Sequence, residues 1–299
     1  MSVRSPRRNI DLKWAWALAG VLLTAGVALW AALGSAGDGA QRQAAEPALR
    51  ARYATPSGSA ARSAPTSTTT TAPAATLPLA GRTITVDPGH DGGNFTHPQQ
   101  ISRLVPDGNG FKECDTTGTV APDGYRETDF NWSVALDLKA LLQQAGAKVV
   151  MTRSSNDGVG PCVNERAAIG NRAHSDAAIS IHADGGPPDG SGFAVLIPAP
   201  IPGGDDERIL APSRRLGLEM RAALKSIGLH TSTYDGHDGI APRTDLGGLN
   251  LSRVPKVFVE VGNMQNRADE APMEHASFRE RVARALLAGF ERFLAPAAD

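Results

Sequence analysis

The feature that most constrains the fold is an alternation of short β-branched runs with longer amphipathic stretches, which begins near Leu79. The pattern predicts strands over residues 83–86, 148–152, 177–181, 193–197 and 256–261. It predicts helices over residues 129–145, 163–173, 209–227 and 277–294. Strands that alternate with helices in this way are typical of a parallel sheet covered by helices. The sequence therefore predicts an α/β fold, a single domain over residues 79–299 with a largely parallel sheet flanked by helices.

The first 34 residues have the pattern of a signal peptide or membrane anchor and are not expected to join that domain. Basic residues precede an uncharged run from Trp14 to Leu33, and these 20 residues are enough to cross a bilayer core as a helix. The tripeptide Gly34-Ser35-Ala36 is also an acceptable cleavage site for a signal peptidase. A retained anchor and a cleaved signal peptide both stay open. In either case we expect the bulk of the chain to be extracytoplasmic.

Residues 35–78 are rich in Ala, Ser, Thr and Pro, and residues 65–75 read PTSTTTTAPAA. Such a composition buries too little apolar surface to offset the entropy lost on ordering. We therefore predict a disordered linker. An extended linker at roughly 3 Å per residue would reach on the order of 100 Å.

Charge and cysteine content exclude several classes of protein. Lys and Arg total 30 against 31 Asp and Glu, and a formal net charge of -1 argues against a nucleic-acid partner. The two cysteines, Cys114 and Cys162, are too few for a disulfide scaffold or an all-cysteine zinc module. An oxidising extracytoplasmic setting favours a disulfide between them. Free thiols, or a cysteine ligand to a metal, remain alternatives.

Four side chains with catalytic or metal-binding chemistry lie at or near the ends of predicted elements. His90 follows the first strand, Glu127 opens the first helix, His182 follows the third strand, and Glu260 lies in the last strand. Active sites of open α/β sheets form beyond the carboxyl ends of the strands, so these four side chains can converge. Two imidazoles and one carboxylate would leave an open position on a tetrahedral zinc ion, as catalytic sites do, and the other carboxylate would handle protons.

Each of these residues also has a purely structural interpretation. His90 could be a turn residue, His182 a hydrogen-bonded core histidine, and Glu127 a helix-start carboxylate favoured by the helix dipole. Glu260 is harder to explain in this way, because a carboxylate inside an apolar strand needs a partner or a raised pKa. Composition and spacing alone leave both interpretations open.

Five sequence blocks, in order, resemble those of the zinc-dependent N-acetylmuramoyl-L-alanine amidases of amidase type 3. They are TITVDPGHDGG at 83–93, RETDFN at 126–131, Thr152-Arg153 with the NER segment that leads to Asn171, ISIHAD at 179–184 and PKVFVEVGN at 255–263. The resemblance extends from about Leu79 to Leu294. Several motifs in the expected order are a much more specific signal than any one of them.

The resemblance implies a zinc ion (Zn2+) held by His90, Glu127 and His182, with Glu260 as the general base and acid. It also implies hydrolysis of the amide between the lactyl group of N-acetylmuramic acid and L-alanine in peptidoglycan. Cell-wall remodelling or recycling would be the purpose of that reaction. Peptidoglycan or a muropeptide is therefore the expected partner, with a monomeric protein and a membrane tether through residues 14–33.

Two other functions stay open at this point. A non-catalytic cell-wall-binding module would keep the fold, and a zinc peptidase would cut within the stem peptide. The remaining histidines are weaker candidates: His97 could compete as a ligand, whereas His230 and His237 are expected to lie at the surface or in the cleft wall. Further candidates to grip a peptide stem are Tyr234, Arg243 and Asp245.

Overall fold

A six-stranded sheet and a set of flanking helices organise the part of the chain described by this computed structural model, residues 77–202 and 207–296. The strands are β1 (Thr83–Pro88), β2 (Leu104–Pro106), β3 (Phe111–Glu113), β4 (Lys148–Met151), β5 (Ala177–Asp184), β6 (Ala194–Pro198), β7 (Ile240–Arg243) and β8 (Lys256–Asn263). The α-helices are α1 (Pro98–Ile101), α2 (Glu127–Gln144), α3 (Val163–Arg172), α4 (Leu210–Ser226), α5 (Gly247–Asn250), α6 (Arg267–Met273) and α7 (Ala276–Leu294). Short 3₁₀ helices span Gly92–Thr96 and Glu207–Ile209.

The sheet has the strand order β4-β1-β5-β8-β6-β7. Strands β4, β1, β5 and β8 run parallel, β6 is antiparallel to β8, and β7 is parallel to β6. Helices α2, α4 and α7 pack together and against one face, while α3 and α5 pack against the strands and each other elsewhere. A mostly parallel sheet flanked by helices confirms the predicted fold class.

The two faces of the central strands differ in chemistry because successive side chains point to opposite sides of a strand. One face is apolar and joins the main core, through Ile84, Val86, Ile179, Ile181, Val257 and Val259. The alternate positions on β1, β5 and β8 include polar groups, namely Asp87, Ser180, His182, Lys256 and Glu260. The apolar face therefore stabilises the domain, and the opposite face presents polar and ionisable side chains.

Helix α2 shows how the predicted pattern produces the packing. Phe130, Val134, Leu138 and Leu142 recur every fourth residue and are 0% exposed. Burying each of these side chains contributes roughly 1.5–3 kcal/mol. The chain leaves the helix at Gly146, whose φ of 95° suits glycine, and the Gly146 N–H donates to the carbonyl of Gln143.

Several elements differ from the sequence-based expectation. Strand β5 continues to Asp184, so His182 lies on the strand instead of following it, and α2 begins at Glu127 instead of Asp129. The segment expected to be one long loop before Arg126 contains helix α1 and the β2–β3 hairpin. These elements are three or four residues long, too short to show a period, and tertiary contacts decide whether they form.

The expected anchor, and the expected linker up to residue 76, lie outside the described residues. Within the described ranges no helix combines the length and apolarity that a membrane crossing requires. The packed structure is already established at Leu79, which is 0% exposed and whose N–H donates to the carbonyl of Ala145 over 2.9 Å.

Candidate metal centre

His90 lies in a tight turn that follows β1, with a left-handed backbone (φ 54°) that is uncommon for a residue other than glycine. Two buried arginines hold this turn. Arg153 donates to the carbonyl of Pro88, and Arg166 donates to the carbonyls of Pro88 and His90. Backbone strain of this kind persists only where the surroundings enforce it, and it concentrates at functional sites.

Asp115 fixes the proton on the His90 ring. His90 Nδ1 lies 2.8 Å from Asp115 Oδ1 and 3.1 Å from the carbonyl oxygen of Thr116. Both partners can only accept, so Nδ1 carries the hydrogen and Nε2 keeps its lone pair. Burial alone would raise the pKa of Asp115, but Arg166 and His90 lower it to about 2, so the carboxylate stays ionised.

Glu127 is the first residue of α2, and its carboxylate is almost fully buried. The N–H of Thr119 donates to Oε2 over 2.8 Å, and Asn131 Nδ2 donates to Oε1 over 3.1 Å. Burial would raise the pKa of Glu127, but the neighbouring His90 and His182 lower it to about 2. The carboxylate is therefore oriented and negatively charged.

His182 projects from β5 between Glu127 and Phe258. Its Nδ1 lies 2.8 Å from Glu127 Oε1, and its ring stacks on Phe258 with centroids 3.9 Å apart. Gly89 lies against the same ring, and a Cβ there would overlap the imidazole. Glycine at position 89 thus provides the space for His182.

The structure brings His90, Glu127 and His182 into one cluster. One ligand atom from each residue lies within 4.8 Å of the others, and Glu127 Oε1 is 3.5 Å from His90 Nε2. Two imidazole nitrogens and one carboxylate oxygen are the donor set of catalytic zinc sites that keep an open position. The residues present therefore fit a zinc ion.

Glu260 lies next to this cluster because β5 and β8 pair in register, with His182 opposite Glu260. The residue is half-buried, and its Oε2 is buried without a hydrogen-bond partner. Burial, followed by the negative charges of Glu127 and Asp184, raises the pKa of Glu260 well above its ordinary value. A carboxyl group with a raised pKa is suited to accept and return a proton.

A cleft of about 420 Å³ opens over the cluster. Its walls come from the β2–β3 hairpin and the segment after it, and from residues 246–248 at the start of α5. His90, Glu127, His182 and Glu260 all line it. The cleft gives an extended substrate access to the four residues.

The other candidates from the sequence contribute no ligand atom to this cluster. His97, His230 and His237 are exposed and do not join the cluster. The Tyr234 hydroxyl donates to Asp184 Oδ2 over 2.8 Å, and Arg243 pairs with Asp245 over 2.7 Å. Among the described residues these groups thus have protein partners of their own.

Sequence reasoning missed the buried charges behind the cluster. Asp87 Oδ1 lies 2.9 Å from Arg166, which also contacts Asp115 Oδ2 over 3.1 Å. Lys256, 2% exposed, places Nζ 3.3 Å from Asp87 Oδ2. The available signals were the lysine at the start of an apolar strand and the aspartate before Pro88-Gly89-His90. Asp115 had no comparable signal.

Cys114 and Cys162 form a disulfide bond across 48 positions of sequence. The bond links the residue after β3 to the residue before α3. Both cysteines pack against Val105 of the hairpin. The disulfide therefore fixes the hairpin wall of the cleft to the helix that carries Arg166.

Two histidines and a glutamate, beside a second glutamate with a raised pKa, form the kind of centre that metal-dependent hydrolases use. A family model described as N-acetylmuramoyl-L-alanine amidase matches residues 84–292. The chain belongs to this family of peptidoglycan-cleaving hydrolases.

Individual relatives agree with that assignment. The chain is 41% identical over 222 residues to the N-acetylmuramoyl-L-alanine amidase Rv3717 of Mycobacterium tuberculosis, covering 73% of this chain and 88% of that protein. It is also 41% identical to the crystal structure of the amidase Ami1 from Mycobacterium smegmatis, with a TM-score of 0.69 over 72% of this chain and 98% of that one. The amidase AmiC2 of Nostoc punctiforme, at 20% identity and a TM-score of 0.54, shares the fold.

Proposed function

We propose that this chain is a zinc-dependent N-acetylmuramoyl-L-alanine amidase in which His90, Glu127 and His182 hold the metal and Glu260 transfers protons. The substrate bond is the amide between the lactyl group of N-acetylmuramic acid and L-alanine in peptidoglycan. One observation carries the assignment of roles. Glu260, with a buried and unpartnered oxygen, lies in register beside a histidine of a cluster with the donor set of zinc.

A zinc ion in this cluster would polarise the scissile carbonyl and acidify a water molecule. The chain's own residues do the rest. Asp115 and Asn131 hold His90 and Glu127 in position. Glu260 accepts a proton from the attacking water and delivers one to the leaving amine of L-alanine.

The roles are tested by replacing Glu260 with glutamine. We expect Glu260→Gln to bind zinc as the wild type does and to lose about 10²–10⁴-fold in turnover, because only proton transfer is removed. Zinc content is measured by atomic emission, and turnover is measured on purified muropeptides. The matched control is Glu165→Gln, an exposed glutamate on α3 paired with Arg172, which should keep wild-type activity. Near wild-type turnover of Glu260→Gln would show that the roles are assigned wrongly.

Mass analysis of the products tests the substrate bond. An amidase releases the complete stem peptide with a free L-alanine amino group and leaves the lactyl carboxyl on the sugar. A peptidase that cuts within the stem leaves L-alanine attached to the sugar. Release of shortened stems alone would contradict the proposed bond specificity.

The site of action follows from the substrate. Peptidoglycan lies outside the cytoplasmic membrane, so the protein acts there. We further propose that residues 1–34 export or anchor the chain, that residues 35–78 link this segment to the catalytic domain, and that the enzyme is a monomer. Detection of the N-terminal segment on mature protein recovered from the producing cells distinguishes an anchor from a cleaved signal peptide.

A further inference from the structure

A second group of acidic side chains lies where the segment before α2 meets α6. It consists of Asp123, Glu270 and Glu274, and one carboxylate oxygen of each lies within 4.8 Å of the others. Glu270 belongs to α6, and Glu274 caps its C-terminal end. Asp123 lies four residues before Glu127, in the turn that leads into α2. We refer to these three residues as the acidic trio.

Existing hydrogen bonds hold the elements on both sides of the acidic trio. The N–H of Tyr125 donates to Asp123 Oδ1 over 3.0 Å. Gln265, just before α6, donates from Nε2 to the carbonyl of Val120 over 2.9 Å. The trio is therefore brought together by an established contact between the two segments and not by one loop alone.

Glu270 carries the observation that points to a ligand. Its side chain is only 7% exposed, and its Oε1 is buried without a hydrogen-bond partner. Buried carboxylate oxygens in folded proteins nearly always have a donor or a cation. Burial and the adjacent Asp123 and Glu274 raise the pKa of Glu270 to about 7, because the three carboxylates repel one another.

The ion pairs of the described residues do not include these three carboxylates. Among the ion pairs of the described residues, none joins a lysine or arginine to the acidic trio. The guanidinium of Arg279 donates from Nη1 to the backbone carbonyls of Met273 and Glu274. A net negative charge therefore remains where the three carboxylates meet.

Oxygen-only donor sets select hard cations. Calcium accepts six to eight oxygen ligands in flexible geometry and completes its shell with carbonyls and water, whereas magnesium demands a near-ideal octahedron. Zinc prefers nitrogen or sulfur donors, as in the cluster of His90, Glu127 and His182. A partly exposed group of three carboxylates on two separate segments fits calcium better than either alternative.

We propose that Asp123, Glu270 and Glu274 form a calcium site, separate from the metal centre, that braces the segment leading into Glu127 against α6. Calcium supplies the positively charged partner that Glu270 Oε1 lacks. The site fixes the start of α2 and hence the entry of Glu127 into the cluster. The proposal does not depend on the reaction assigned above.

Calorimetric titration of the full-length, zinc-loaded protein with CaCl₂ tests the proposal. We expect one calcium ion per chain, with a dissociation constant on the order of 10⁻⁴–10⁻³ M, the range of extracellular calcium modules. Saturating calcium should also raise the midpoint of thermal unfolding by several degrees, because it binds only the folded state. Titration with MgCl₂ should give at least tenfold weaker binding.

Asp123→Asn and Glu270→Gln should each lose calcium binding at least tenfold and lose the thermal shift, with unchanged far-UV circular dichroism. The matched control is Glu280→Gln, an exposed residue of α7 paired with Arg284, which should respond like the wild type.

Absence of a saturable calcium response in the wild type, or a response that persists in both variants, overturns the proposal. Magnesium binding as tight as calcium binding overturns the choice of ion. A Glu270→Gln protein that is more stable than a calcium-insensitive wild type shows a shared proton instead of a cation.

Discussion

Asp87 is a buried carboxylate that connects the sheet to the candidate metal centre. It accepts hydrogen bonds from Thr152 and Ser180 and pairs with Arg166 and Lys256. Burial would raise its pKa, but the charges of Lys256 and Arg166 hold that pKa far below the ordinary value of 3.8. The turn that carries His90 therefore depends on one fully compensated negative charge.

We expect Asp87→Asn to lower the free energy of unfolding by about 3–5 kcal/mol, because it leaves the buried Lys256 without its counter-ion and leaves Arg166 with Asp115 alone. Urea denaturation at pH 7 measures the change. The matched control is Glu219→Gln, which breaks the half-exposed pair of Glu219 with Arg292 and should cost less than about 1 kcal/mol. Equal losses in the two variants would contradict this account of Asp87.

The same substitution should change the acid stability of the protein. In the folded state Asp87 stays ionised below its ordinary pKa, whereas in the unfolded chain it takes up a proton near pH 4. The stability that Asp87 contributes is thus present above about pH 4 and is lost as the pH falls further. The free energy of unfolding of the Asp87→Asn protein should therefore fall less than that of the wild type as the pH drops below about 4.

The lack of a side chain at Gly89 makes room for the imidazole of His182. A methyl group at position 89 would overlap the imidazole, so Gly89→Ala should displace His182 and weaken zinc binding by about 10–100-fold or more, as loss of a supporting contact does. Competition with a chelator of known affinity measures the effect. The matched control is Gly158→Ala, whose added methyl would meet nothing within 4 Å. Unchanged zinc affinity in Gly89→Ala would refute this role for the glycine.

At the scale of elements, strand pairing determines which side chains meet. β5 and β8 lie side by side in parallel, and their register places His182 opposite Glu260. A shift of either strand by one residue would turn its own side chain, His182 or Glu260, to the apolar face. The packing of Ile179, Ile181 and Val259 into the core therefore also fixes the positions of His182 and Glu260.

The disulfide fixes another element, the β2–β3 hairpin. Closing a loop of 48 residues is worth about 4 kcal/mol in the chain-entropy model, so the Cys114→Ser/Cys162→Ser double variant should be less stable by an amount of that order. Chemical denaturation measures the loss. As a control, a reducing agent should destabilise the wild type and leave the double variant unaffected. Two reactive thiols in denatured, unreduced wild type would contradict the bond.

At the scale of the whole molecule, the described residues from Leu79 to Leu294 contain a continuous apolar core. We expect removal of residues 1–76 to leave the thermal midpoint within about 2 °C and the activity on soluble muropeptides unchanged, because the core of the described residues is continuous from Leu79 onwards. Scanning calorimetry and muropeptide turnover of both forms check this. A large loss of stability would show that the N-terminal residues pack on the domain, against the proposed linker.

The predictable parts of the fold are those with long periodic patterns. Helix α7 buries Phe278, Val282, Leu286, Phe290 and Phe293 as the sequence predicts. The hairpin, β7 and the helices α1, α5 and α6 were not predicted, because three to seven residues carry too little periodicity. Their formation depends on partners such as Cys162 or β6, which are distant in sequence.

The sequence by itself determined the alternation of the longer elements and the family, and it supplied His90, Glu127, His182 and Glu260 as the candidate site residues, because periodicity and motifs are local properties of a chain. The tertiary structure alone decided that Asp115, Asp87 and Lys256 lie behind them and that Asp123 meets Glu270. Burial and charge pairing arise only when distant segments pack, and no local sequence pattern predicts which carboxylate will be buried.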